Sequence, residues 1–259
     1  MGLFFDDSRP GPGVAPDAPR STGLKRIWEM LSRDYLTFWG AGIIQLLLTF
    51  PFAFGVGLAC ATHSLLFALL AGIIVGMLAA PGFYGLTDTL LRSLRDEPGF
   101  WWLRYSHAVR KNWKSTLLPG ALMGTVFSVQ LFILHHMPLL GGGLGLFGCQ
   151  IVSMVVSTGL FLWALPQHVL LELRFGALVK NSLLLFFRFF GKTMQASLLF
   201  LLYMLLVWAI FPASVFLLLV AGLWLPLLCA FQIIYPTLDN VFHIEESLQE
   251  KTRFTGNEE

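Results

Sequence analysis

Residues 96–120 read DEPGFWWLRYSHAVRKNWKSTLLPG, the most polar internal stretch of a chain that is 56% hydrophobic. Arg104, Arg110, Lys111 and Lys114 stand among Trp101, Trp102, Tyr105 and Trp113, with oily runs on either side. Cations mixed with aromatic rings between apolar runs have the composition of a membrane–water interface. There the rings sit at headgroup depth and basic side chains reach phosphates.

Outward from this stretch, six apolar runs appear, at about 36–59, 65–90, 117–134, 144–170, 193–211 and 213–235. A hydrocarbon layer of about 30 Å needs roughly 20 helical residues. Helices satisfy their own backbone groups in lipid, whereas a barrel would show short alternating strands. Only 12% of the 259 residues are Asp, Glu, Lys or Arg, against about 25% in soluble domains. A mean hydropathy of +0.72 agrees. The expected fold is an all-α membrane protein with six transmembrane helices arranged as three hairpins. Residues 1–20 read as a flexible Pro/Gly-rich tail, 21–243 as one membrane domain, and 244–259 as a polar tail.

The connections set the expected orientation. The turns near His63, His135-His136 and Phe211-Pro212 carry no Lys or Arg. The others hold Lys25, Arg26 and Arg33; Arg92, Arg95, Arg104, Arg110, Lys111 and Lys114; then Arg174, Lys180, Arg188 and Lys192; and finally Lys251 and Arg253. Strict alternation of basic and uncharged connections places both termini in the cytoplasm. The first apolar run follows a long polar segment, unlike a signal peptide, and is expected to remain as an anchor. Asp6 occupies the place where a myristoylation motif wants Ser or Thr.

Each basic connection is also amphipathic. Leu24, Ile27, Trp28, Leu31, Tyr35 and Phe38 form one stripe; Trp102, Tyr105, Val109 and Trp113 form a second; Phe175, Leu178 and Val179 begin a third. Three amphipathic helices are therefore expected in the cytoplasmic interface, the second starting near Asp96-Glu97-Pro98. A weak repeat accompanies them: Pro81, Pro166 and Pro226 precede the inner acids Asp88, Glu172 and Asp239.

The chain resembles the YesL-like family of bacterial membrane proteins. PGPGVAPDAPRSTGLKRIWEML, DEPGFWWLRYSHAVRKNWKSTLL and LELRFGALVKNSLLLFFRFFGKT carry the likeness, which extends over nearly the whole chain. Trp101-Trp102 is bulkier than the family pattern, and His135-His136 is not part of it. The resemblance implies a domain without assigned function and an accessory role in sugar transport or sensing, since such proteins often sit among genes for carbohydrate uptake and breakdown.

Candidate sites follow from residue type. Arg104, Arg110, Lys111, Asn112, Trp113, Lys114, Arg174, Lys180 and Asn181 are assigned to a docking face for anionic lipid or a membrane partner, with the asparagines capping or bridging helices. Gln45, Gln130, Gln150, His168 and Gln232 are the candidates for an intramembrane polar path; Gln195 is read as buried too, and Gln130 and Gln150 as a pair. Gly72, Gly76 and Ala80, Gly120, Gly124 and Ser128, and Ser153 with Ser157 are spaced by four, as close helix packing requires; the same faces would serve a homo-oligomer. No ionisable Lys, Arg, Asp or Glu falls in the middle of a run, which counts against an ion-coupled carrier. Asp88 lies nearest an inner boundary, one turn from Arg92.

His63, His135 and His136 are loop residues of the outer side. With Cys60 they would make a metal site only if they converged. Cys60, Cys149 and Cys229 read as small apolar fillers. No phosphate loop, metalloprotease helix or nucleophile elbow is present, so nothing points to an enzyme, a cofactor or nucleic acid. The function expected from the sequence is a non-enzymatic accessory or scaffold protein whose partners are anionic lipids and a membrane transporter or sensor. The alternative is a small-solute carrier or lipid-translocating protein.

Overall fold

A computed structural model describes residues 21, 23–97, 99–139, 141, 143–171 and 173–247. The tail at 1–20, most of the polar tail at 244–259, Pro98 and Glu172 lie outside the described residues, and with them the expectations placed there. Regular structure among the described residues is helical: α1 (Gly23–Ala61), α2 (Leu65–Leu94), α3 (Trp101–His136), α4 (Leu144–Leu171), α5 (Phe175–Arg188), α6 (Phe190–Ala209), α7 (Ser214–Ala221) and α8 (Trp224–Phe242).

Six of them, α1 to α4, α6 and α8, are long and apolar enough to cross a membrane. Their outward faces are oily. Leu47, Phe50 and Phe54 on α1, Leu66 and Ile74 on α2, and Leu202, Leu205 and Trp208 on α6 are all exposed. In the most apolar window of α3 only 17% of residues are buried. Apolar surface on this scale needs lipid around it.

The two longest helices exceed what a bilayer needs by the widest margin. With 39 residues, α1 is roughly 58 Å long, and α3, with 36, about 54 Å, at about 1.5 Å per residue. The first two amphipathic stretches are therefore not separate helices: 24–38 belongs to α1 and 101–114 to α3. No Gly or Pro interrupts either stretch, so nothing stops the helical backbone between them and the apolar runs. Only the third stretch forms its own helix, α5, which ends at Phe189 (φ −116, ψ 42) before α6 begins.

The apolar stripes are divided as well. On α1, Met30 and Phe38 face the core while Leu24 and Trp28 face out. On α3, Tyr105 is buried and Val109 packs inward, whereas Trp102 and Trp113 are exposed. Rings that satisfy the same periodicity thus serve two environments.

The closest packing joins α2 to α3, then α1 to α2. The α1–α2 contact lies within the first expected hairpin, whereas the α2–α3 contact joins the first hairpin to the second. Small residues explain it. A methyl on Gly76 would sit 2.3 Å from the Gly120 carbonyl, and one on Gly124 2.3 Å from the Gly72 carbonyl. The two backbones touch where the sequence spaces small residues by four. Ser128 adds a hydrogen bond, its hydroxyl donating to the Ala68 carbonyl at 2.6 Å. The core gathers Phe38, Leu86, Leu90, Trp163, Leu227, Phe231 and Ile234 from α1, α2, α4 and α8. It lies toward the charged end. At the opposite end every described residue from 143 to 149, through the start of α4, is exposed.

The sixth apolar run is broken. It was expected to be one helix over 213–235; instead α7 ends at Ala221 and α8 starts at Trp224. Gly222 between them has φ +51, where a side chain is strained. In an unbroken helix the carbonyl of residue 222 would receive the amide of residue 226, which is Pro226 and has none. The Tyr203 hydroxyl donates to the Gly222 carbonyl instead, at 2.7 Å. Trp39 Nε1 donates to the Leu219 carbonyl at 2.9 Å and the Tyr35 hydroxyl to the Val220 carbonyl at 3.3 Å. Beyond α8 the chain folds back: Ile244, assigned by sequence to the polar tail, is buried in the core.

Candidate functional site

Every described Lys, Arg, Asp and Glu belongs to the first part of α1, α3 or α6, the last part of α2 or α8, or the connections and α5 beside them. Because the spanning helices alternate in direction, these segments share one end of the bundle. That end has a cleft of paired charges and an open basic face.

The cleft is assembled by α1, the end of α2 and the turn to α3. Arg26 and Arg33 stand seven residues apart on α1, hence on one face, and both reach across to that turn. Arg26 Nη2 donates to the Leu94 carbonyl at 3.0 Å and pairs with Asp96 at 2.7 Å. Arg33 pairs with Asp96 and donates from Nη2 to the Ser93 carbonyl at 2.9 Å. Ser93 in turn donates to Asp34. Arg92 bridges Asp88 at 2.8 Å and Glu97 at 2.9 Å, and Arg95 holds the other Glu97 oxygen at 2.6 Å. The Asp88–Arg92 pair expected from the sequence is therefore formed. Asp96 turns the chain with φ +60, a conformation Asp tolerates better than most residues.

Burial opposes ionisation of Asp96, but hydrogen bonds from Arg33 and Arg26, with their charges, outweigh it and hold the carboxyl below its usual range. Glu97 is likewise lowered against burial, by its hydrogen bond to Arg95 and by the charges of Arg95, Arg92 and Arg104. Exposed ion pairs contribute about 0–1 kcal/mol each. The value of this network is positional, since it fixes α1 against the α2–α3 turn. Within it lies a cavity of about 200 Å³, whose walls include Arg33, Asp34, Arg92, Glu97, Trp101 and Arg104.

The open face holds most of the sequence-assigned docking residues. Arg110, Lys111, Trp113, Lys114, Arg174 and Lys180 are exposed. Arg110, Lys114, Arg174, Lys180 and Arg188 have no carboxylate within ion-pair distance among the described residues. Lys114 lies 5.5 Å from the centroid of the Trp113 ring, and Arg188 the same distance from that of Phe189. Arg104 is set apart: it is half-buried in the cleft. Asn112 bridges helices as anticipated, its Nδ2 donating to the Tyr84 hydroxyl at 2.9 Å. Asn181 is half-buried on α5.

The polar-path residues do not join into one path; only Gln130 and Gln150 touch. Gln130 Nε2 donates to Ser153 Oγ at 2.8 Å, its Oε1 accepts from Ser157 at 3.0 Å, and Gln150 Nε2 donates to the Gln130 carbonyl at 3.0 Å. The expected Gln130–Gln150 contact exists, and it is internal to the α3–α4 contact. Gln45 donates to Thr49 at 2.8 Å and packs beside Gly82. Gln232 reaches the Gly23 carbonyl at 2.7 Å, at the charged end. Gln195, read as buried, is exposed on α6; its side of the helix faces out, because Thr193, Ala196 and Ser197 take the inward positions. His168 is buried where α2, α3 and α4 meet, with Ser115 Oγ 3.5 Å from its Nε2 and the Tyr84 ring edge-on at 5.4 Å. One polar cluster thus joins Asn112 and His168, which the sequence reading had assigned to different roles.

At the uncharged end, His63 Nδ1 lies 2.8 Å from His136 Nε2, and His136 Nδ1 donates to the Phe132 carbonyl at 2.9 Å. This pair ties the α1–α2 turn to the end of α3. Among the described residues no three His, Cys, Asp or Glu side chains are grouped to hold a metal ion. The cysteines are free thiols, Cys60 buried and Cys149 exposed.

Sequence reasoning missed Arg33, Asp34, Thr37, Thr89, Asp96, Glu97 and Trp101 as lining of one cleft. The signal was present: two adjacent acids, Asp96-Glu97, flanked by Arg92, Arg95 and Arg104, in a chain with few charges.

Fold and charge distribution together define the class: an all-helical protein with six helices fit to span a membrane and one ionised end. Comparison with protein-family models, with curated proteins and with solved structures gave no match to the chain.

Proposed function

We propose that the protein is a non-enzymatic accessory or scaffold protein of the bacterial cytoplasmic membrane, with both termini and the ionised end in the cytoplasm, and that its open basic face docks anionic lipid or the acidic surface of a membrane partner. One observation carries the reading. The cleft carboxylates Asp88, Asp96 and Glu97 are engaged by arginines, while among the described residues Arg110, Lys114, Arg174, Lys180 and Arg188 have no acid within ion-pair distance, on an aromatic-rich surface. Near an anionic leaflet each such cation adds about 1 kcal/mol of attraction. The lower part of α1, the start of α3 and α5 are the segments that would lie at or beyond the headgroups. The likeness to the YesL-like family belongs to this proposal, as does the partner class it suggests, a transporter or sensor for carbohydrate.

The carrier reading finds less support, because Gln45, Gln130 and Gln232 each bond separate protein groups and the core among α1, α2, α4 and α8 is built of Leu, Phe and Trp. The test replaces Arg110, Lys114, Lys180 and Arg188 together with Gln in nanodiscs. Co-purifying anionic lipid and partner proteins should fall severalfold, while membrane insertion and thermal unfolding stay as in the parent. Unchanged co-purification would reject the docking face.

A further inference from the structure

We infer that the cleft between α1, the end of α2 and the start of α3 is a binding site for a singly charged phosphodiester, that of a phospholipid headgroup. The inference stands on different residues from the docking face, so either can fail alone.

Hydrogen-bonding capacity in the cleft decides the ligand. The carboxylate acceptors are largely taken: Asp96 by Arg26 and Arg33, and Glu97 by Arg92 and Arg95. Donors are left over. The Arg104 guanidinium makes no side-chain hydrogen bond among the described residues and acts on Glu97 only through its charge. Arg92 uses Nε and Nη1 and keeps Nη2. Trp101 and Thr37 also line the cavity, and neither the indole N–H nor the hydroxyl has a hydrogen-bond partner among the described residues. Unused donors on residues that line a cavity of about 200 Å³ suit an oxyanion.

Two further features narrow the class. Asp34, Asp96 and Glu97 stand in the same walls, and their charge disfavours a dianion such as a phosphate monoester. A diester carries one charge and meets less repulsion. Gly99 makes the fork available: a methyl there would lie 2.3 Å from Arg104 Cζ, so only glycine lets that guanidinium lie against the turn. The cleft also opens at the start of α3, next to exposed Phe100, Trp102 and Leu103, where acyl chains would lie.

The experiment uses the full chain, delipidated in a phosphate-free maltoside detergent, and native mass spectrometry. The probes are dihexanoyl phosphatidylglycerol, dihexanoyl phosphatidylethanolamine and dihexanoylglycerol, which has no phosphate. Both phospholipids should bind as a single saturable equivalent and the diacylglycerol should not. Arg104→Gln should weaken binding by about tenfold or more, as loss of a charge-assisted hydrogen bond does. Arg104→Lys should fall between, and Arg110→Gln with Lys114→Gln should change nothing. Thermal unfolding of Arg104→Gln, compared with the parent, reports whether the fold is kept, and Trp101→Phe, which loses only the indole N–H, gives a second reading. Poor displacement by millimolar inorganic phosphate would support the diester. Equal binding of diacylglycerol, full affinity in Arg104→Gln, loss of binding in the Arg110/Lys114 variant, or ready displacement by inorganic phosphate would overturn the inference.

Discussion

Gly76 is among the tightest glycines of the bundle, since a Cβ there would meet the Gly120 carbonyl at 2.3 Å. Backbone cannot move aside as a flexible side chain can. Gly76→Ala should therefore separate α2 from α3 and cost about 1–3 kcal/mol, the usual range for overpacking. Gly57, an exposed α1 glycine with nothing within 4 Å of such a methyl, is the control. There Ala should stabilise by up to about 1 kcal/mol through helix propensity. Thermal unfolding of both variants in one detergent checks the pair; equal stability would deny the seam. At this scale the sequence was informative where spacing alone decides, as with Gly72, Gly76, Gly120 and Gly124. It was silent where the partner is remote. Nothing local to Arg33 tells that it meets Asp96, 63 residues away. Nor does periodicity reveal that Tyr105 turns inward and Trp102 outward, because both satisfy an amphipathic stripe and lipid accepts either ring.

Among elements, the α7–α8 break separates what composition predicts from what the fold does. Hydropathy averaged over a window does not register one residue at φ +51, so 213–235 reads as a single span. Pro226 is visible in the sequence, but its consequence appears only in the fold: its missing amide is what frees the Gly222 carbonyl. The Tyr203 hydroxyl meets that carbonyl at 2.7 Å in a half-buried position, whereas Tyr35 meets Val220 at 3.3 Å in an exposed one. Tyr203→Phe should cost about 1 kcal/mol, the usual net worth of a hydrogen bond, and speed hydrogen exchange in the residues just after Ala221. Tyr35→Phe should do little. Equal exchange in the two variants would show that the break is not held by Tyr203. The continuity of α1 and α3 was equally hidden, because the sequence shows where lipid must end but not whether the helix ends with it.

For the molecule as a whole, charge is the most legible property and the one on which the functional reading rests. The six spans and the alternation of basic with neutral connections follow from composition, and the ionised end of the bundle is their three-dimensional form. The cations of the open face were legible because exposed cations announce themselves singly. The cleft was not, because it is made of pairs that nearly cancel. Sidedness is the central claim, and cysteine accessibility in whole cells tests it most directly. With Cys60, Cys149 and Cys229 replaced, one cysteine is placed at exposed Leu139, in the α3–α4 connection, and another, separately, at exposed His107 on α3. The account predicts that an impermeant maleimide labels the Leu139→Cys protein in intact cells, and the His107→Cys protein only after the membrane is opened. Labelling of His107→Cys in intact cells, with Leu139→Cys protected, would contradict it.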